Sequence, residues 1–145
     1  MKNIWPNAGG RRNVADRLVC DTSALVACCL KEPGADVVQK HLELGGCVMH
    51  AINVSEICFT LPRKRPGEFD RHSARAWLLK AGVEIISGFD EVWADKVAEI
   101  RLKAMALNIG DGVAVALAGA LGVPLLAAEG AFANASDFAA IELIR

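Results

Sequence analysis

The chain has 145 residues, of which 53% are hydrophobic, 23% charged and 6% aromatic; 16 Lys and Arg against 17 Asp and Glu leave a net charge of −1. That is the length of one domain able to bury a core, and a mean hydropathy of +0.31 excludes a disordered chain. No apolar run approaches the roughly 18–20 residues of a membrane span, and the N-terminus lacks the apolar stretch of a secretory signal, so a soluble cytoplasmic domain is expected.

In chain order, residues 1–17 hold Pro6, Asn7, Gly9 and Gly10 without periodicity and read as a loosely ordered leader, with residues 18–145 as one domain. Leu18-Val19-Cys20 is a short buried strand ending at Asp21. Ser23 to Leu30 and Ala35 to Leu44 are helical, the second opened by Pro33-Gly34 and closed by Gly45-Gly46. Cys47-Val48-Met49 is a second strand, and Ile52 to Leu61 a helix stopped by Pro62. Phe69 to Lys80 is a further helix ended by Gly82, and Val83 to Ile86 a third strand. Glu91 to Ala106 spaces Val92, Val97, Ile100, Leu102 and Met105 in a helical pattern. Asp111 begins an apolar helix to Leu121 with Gly122 as its cap. Val123 to Leu126 and Ile141 to Ile144 are the last strands. Short apolar strands alternating with helices predict an α/β fold: a three-layer α/β/α domain with a central, mostly parallel sheet of four to five strands.

Ligands of such sheets lie outside the C-terminal strand ends, which directs attention to the acids there. Asp21 directly follows the first strand, and Glu129 follows the fourth by two residues. Glu56 lies among apolar neighbours on the helix after strand two, and Asp111 opens an Ala-rich helix. Buried charges need a partner or a metal. Each acid also has a plainer reading. Asp21 could cap the helix at Ser23, and Asp111 could answer the helix dipole. Glu56 could face solvent, and Glu129 could stand in a surface turn.

Other signals are weaker. The five cysteines form no C-x-x-C pair, and His41, His50 and His72 lie near no partner at zinc-ligand spacing. Residues 1–17 carry four basic residues (Lys2, Arg11, Arg12, Arg17) and one acid (Asp16), so the remainder has a net charge of −4, opposite to an ordinary nucleic-acid binder. The local exception is Arg63, Lys64, Arg65, Arg71 and Arg75, either a solvated face or a phosphate-contacting rim. Trp77, Trp93, Phe59 and Phe69 have helical spacing and read as core or dimer packing. An Asp-x-Asp phosphatase is excluded by Ser23, and a dinucleotide fold by the absence of G-x-G-x-x-G.

The combination carries more than its parts. DTSALVACCLKEPGA, AINVSEI and IGDGVAVALAGALGVPLLAAEGAF bring Asp21, Glu56, Asp111 and Glu129 at separations of 35, 55 and 18 residues. With these segments the chain, over Leu18 to Arg145, resembles the PIN-domain ribonucleases, most closely VapC-type toxins of type II toxin–antitoxin pairs. The resemblance implies a PIN-like fold and an endoribonuclease that hydrolyses RNA with one or two Mg²⁺ or Mn²⁺ ions. It makes Asp21, Glu56 and Asp111 the core acids, Glu129 the fourth, and Ser23 an orienting residue for a ligand or a metal-bound water. All-oxygen donors suit those hard cations. The family usually has Asp at the fourth place, preceded by Thr and followed by Arg, where this chain has Ala127-Ala128-Glu129-Gly130. Glu keeps the charge but reaches one methylene further. The resemblance also implies an antitoxin partner and a homodimer, the latter through apolar faces of the second to fourth helices. A degenerate PIN domain acting as a non-catalytic binding or scaffold module is the alternative.

Overall fold

The computed structural model describes residues 17–145. The expected leader therefore lies, but for Arg17, outside the described residues. Arg17 itself pairs with Glu84 at 3.2 Å.

Five strands, β1 (Leu18–Cys20), β2 (Cys47–His50), β3 (Glu84–Ile86), β4 (Leu125–Ala127) and β5 (Ile141–Leu143), form one parallel sheet in the order β3-β2-β1-β4-β5. β1 is central and buried throughout. Alternate residues divide between two cores. Leu18, Cys20, Cys47, Met49 and Leu126 join the core beneath α1 (Thr22–Cys29), α2 (Ala35–Leu44), α3 (Ala51–Lys64) and α4 (Arg71–Lys80). Val19, Val48, Leu125 and Ala127 join the core beneath α5 (Glu91–Lys103) and α6 (Ile109–Leu121), in which Trp93 and Phe132 are wholly enclosed. The three layers follow from that alternation, because a parallel strand must bury both faces.

From β1 the chain builds the sheet outward through β2 and β3, then returns to add β4 on β1's other side. The sheet's reversal of direction therefore falls between β1 and β4, where such sheets open a crevice.

Several boundaries differ from the sequence expectation. Pro62 does not stop α3. Its missing N–H forfeits one bond of the helix ladder, but the last turn still closes, with the carbonyl of wholly buried Leu61 accepting from Arg65 N at 2.9 Å. The added turn carries Arg63 and Lys64. α6 begins at Ile109 rather than Asp111, because Asn108 is its cap. After β4, Gly130–Ala135 winds into a 3-10 helix instead of a plain turn, anchored by buried Phe132 and Ala135. No described helix is long and apolar enough to cross a membrane.

Candidate active site

Asp21 stands at the end of the central strand and is buried. It does cap α1: its Oδ2 accepts from Ser23 N at 3.0 Å and from Ser23 Oγ at 2.7 Å. The Ser23 hydroxyl in turn accepts from Ala128 N at 3.0 Å. Ser23 thus ties the end of β1 to the end of β4 and orients Asp21. The other oxygen, Oδ1, is buried without a hydrogen-bond partner. Capping uses one oxygen and leaves the second directed at no protein group.

Glu56 is half-buried on α3. Its Oε1 accepts from Asn53 Nδ2 at 2.7 Å and from Thr22 Oγ1 at 3.1 Å. The helix carrying it is capped by buried His50, whose Nδ1 accepts from Ile52 N at 3.0 Å while Nε2 lies 2.8 Å from Gly88 O. Those contacts place the ring proton on Nε2.

Asp111 lies in the first turn of α6 and closes a capping box. Its N–H donates to Asn108 Oδ1 at 2.8 Å, and its Oδ2 accepts from Asn108 N at 3.0 Å. Gly110 beside it leaves space for Glu56: a Cβ there would run into the Glu56 carboxylate, which would have to move. Glu129, exposed before the 3-10 helix, makes no capping bond.

All four acids and Ser23 line one cleft of about 390 Å³, together with Thr22, Glu32, Asn108 and three cations, Arg63, Lys64 and Arg145. Two of the acids, Asp21 and Asp111, are raised above the usual carboxylate range. Burial chiefly, with Asp111 and Glu56 adding to it, pushes Asp21 up to about 7 against the opposing hydrogen bonds from Ser23. Burial likewise raises Asp111 to about 6, with Glu56 and Glu129 adding to it and Asn108 and Arg101 opposing it. Negative charge is crowded here without enough cations to balance it.

The expected basic rim divides. Arg63 and Lys64 line the cleft, with Arg63 over the Phe59 ring at 5.2 Å and Lys64 4.0 Å from Glu32. Arg65 pairs with Glu68 at 3.8 Å, and neither it nor the exposed Arg71 and Arg75 is part of the cleft lining. Trp93 is core, and Trp77 and Phe69 pack against the core, whereas Phe59 is 64% exposed. Sequence reasoning missed Thr22, Glu32, Asn53, Gly110 and Arg145. Asn53, three residues before Glu56, falls on the same helix face, and Thr22 and Gly110 adjoin Asp21 and Asp111 in sequence, so these three were open to detection; Glu32 and Arg145 meet the site only through tertiary packing.

Among the described residues no three Asp, Glu, His or Cys side chains converge into a ready-made metal cage. The donors fit a different kind of site. A hard cation such as Mg²⁺ retains several waters, so the carboxylates that hold it need not close into a cage. A buried, unpartnered Asp21 oxygen in a cleft also lined by Glu56, Asp111 and Glu129 suits such a partly hydrated cation.

The family model of the PIN domain matches residues 18–137. No curated protein matches the sequence. Solved structures that share the fold include the following two. PAE2754 from Pyrobaculum aerophilum has a TM-score of 0.61 and 20% identity over 86% of this chain and 83% of that one. FitAB bound to an IR36 DNA fragment has a TM-score of 0.61 and 21% identity over 88% of this chain and 94% of that one. With the family model spanning most of its length, the chain belongs to the PIN domain family.

Proposed function

We propose that the protein is a metal-dependent endoribonuclease, the toxin of a VapC-type toxin–antitoxin pair. PIN domains are generally metal-dependent nucleases. The observation that carries the reading here is the buried, unpartnered Oδ1 of Asp21, in a cleft shared with Glu56, Asp111 and Glu129. Asp21, Glu56 and Asp111, with Glu129 as the fourth, hold Mg²⁺ or Mn²⁺ in this reading. The cation, when bound, supplies charge to polarise a phosphodiester and lower the pKa of a water.

The chain's own residues do the rest. Ser23 holds Asp21 in place, and the Asn108 capping box holds Asp111 at the start of α6. Arg63, Lys64 and Arg145 contribute positive charge in a cleft otherwise walled by acids, and they receive the phosphates of an RNA strand. An antitoxin would compete for the same acids with a cationic side chain. A homodimer would cover exposed Val37, Leu44, Phe59 and Leu79 on α2, α3 and α4.

One observation favours the non-catalytic alternative: Glu129, at the place where the family usually has Asp, is exposed. Cleavage of a pool of structured RNAs by purified protein with Mg²⁺, Mn²⁺ or EDTA separates the two. Metal-dependent cutting lost in Asp21→Asn and Asp111→Asn is expected. RNA binding with no cutting, unchanged in Asp21→Asn, would establish the binding module instead. Toxicity on expression without a partner is the result that a toxin requires; a nuclease that cells tolerate would be a housekeeping enzyme of the same fold.

A further inference from the structure

Asn53 is wholly buried, and the catalytic reading above gives it no task. Its Nδ2 donates to Glu56 Oε1 at 2.7 Å and to Gly110 O at 2.9 Å. A carboxylate and a carbonyl can only accept here, so the amide orientation is fixed by its partners. The Thr22 hydroxyl approaches the same Oε1 at 3.1 Å and Asn53 O at 3.2 Å. One oxygen of Glu56 is thus held from α1 and from its own helix, while Gly110 leaves room for the carboxylate against α6.

We propose that Asn53 is a positioning residue which pins Glu56 by Oε1 so that its second oxygen is presented to a divalent cation in the cleft. The inference rests on the metal-carboxylate reading of the site. A glutamate left to its own torsions would have to be ordered by the metal itself, at a cost in affinity. Groups that orient metal ligands in this way commonly contribute about 10–100-fold to metal affinity. Asn53 also bridges α3 to the α6 backbone through Gly110 O, so a purely structural role has a distinct signature. It would lower the melting temperature and leave the metal affinity of the folded fraction unchanged.

The test is Mn²⁺ affinity, read by paramagnetic resonance of free Mn²⁺, for wild type, Asn53→Ala, Glu56→Gln and the double variant, each checked for folding by circular dichroism. Asn53→Ala is expected to weaken Mn²⁺ roughly 10–100-fold in the wild-type background and to add nothing in the Glu56→Gln background. Thr22→Val removes the other donor to Oε1 without opening the core, and it is expected to act in the same direction, so the proposal stays testable should Asn53→Ala not fold. Folded Asn53→Ala or Thr22→Val with wild-type Mn²⁺ affinity, beside a Glu56→Gln that has lost it, would overturn the proposal and leave the site reading intact. Wild-type affinity in Glu56→Gln as well would overturn both.

Discussion

At the scale of single residues, the carboxyl group of Asp21 is both a structural cap and a source of destabilisation. Its acidity is shifted from 3.8 to about 7 by burial first and by neighbouring acids second. A raised folded-state value means that the protonated form suits the fold, so this contribution is fully present below about pH 4 and is lost as pH rises through 7. Asp111, raised to about 6, acts in the same direction. Metal-free protein is therefore expected to melt at progressively lower temperature from pH 5 to pH 8. Asp21→Asn should flatten that slope and raise the metal-free melting point at pH 8 by several degrees, since a shift of this size is worth on the order of 2–4 kcal/mol. Scanning calorimetry in EDTA at pH 5, 6, 7 and 8 checks both. A slope unchanged by Asp21→Asn would mean that the charge is relieved by some other route. The same variant should reduce RNA cleavage to the level of the EDTA control, so stability and activity should move in opposite directions.

At the scale of elements, α3 and α6 meet where Gly110 lies against Glu56. Gly110 has no positive φ, and alanine in a helix normally stabilises by about 0.5–1 kcal/mol over glycine. Gly110→Ala should instead displace the Glu56 carboxylate, abolishing Mn²⁺-dependent cleavage while the protein still folds, as circular dichroism and an RNA cleavage assay would read together. Full activity in Gly110→Ala would show that Glu56 can do its work from another position. Asn108→Ala removes the α6 cap and should cost about 1 kcal/mol, with a smaller loss of activity through Asp111. This contact also marks the limit of sequence reading. The five strands were legible as short apolar runs, although only β1, β2 and β4 are buried throughout, and Asp21 and Glu129 because they lie at or just beyond the ends of such runs. Asp111 was legible as a helix-start acid, although the helix begins two residues earlier. Gly110 and Asn53 are 57 residues apart in sequence yet joined by a hydrogen bond, and no local pattern announces that meeting. Pro62 misled for a physical reason: near a helix end its missing N–H breaks only one bond, and the buried Leu61 holds the final turn.

At the scale of the whole molecule, both signs of charge meet at the cleft. The chain is acidic beyond its first 17 residues, yet Arg63, Lys64 and Arg145 share the cleft with the acids. An RNA strand entering the cleft would meet these cations, whereas Arg71 and Arg75 lie outside its lining. Filter-binding of RNA to catalytically silent Asp21→Asn protein should weaken in the added Arg63→Gln and Lys64→Gln variants. Each should reduce the slope of log affinity against log salt by about 0.7. Arg71→Gln and Arg75→Gln should leave that slope unchanged. The reverse pattern would move the RNA path onto α4. The basic run in the sequence could not show this division, because Arg63 and Lys64 reach the cleft only through the helical turn that continues past Pro62.

In the proposed reading, three carboxylates at the end of β1, on α3 and on α6 make one divalent-cation site, and the measurement for it is calorimetric titration of Mn²⁺ into purified protein. Wild type should bind Mn²⁺ more tightly at pH 8, where acids raised to about 7 and about 6 are largely ionised, and more weakly and with release of protons at pH 6, because the acids must be ionised to serve as ligands. Asp21→Asn and Asp111→Asn should each lose most of that affinity. No Mn²⁺ binding by folded wild type at either pH, or binding unchanged in both variants, would contradict the account.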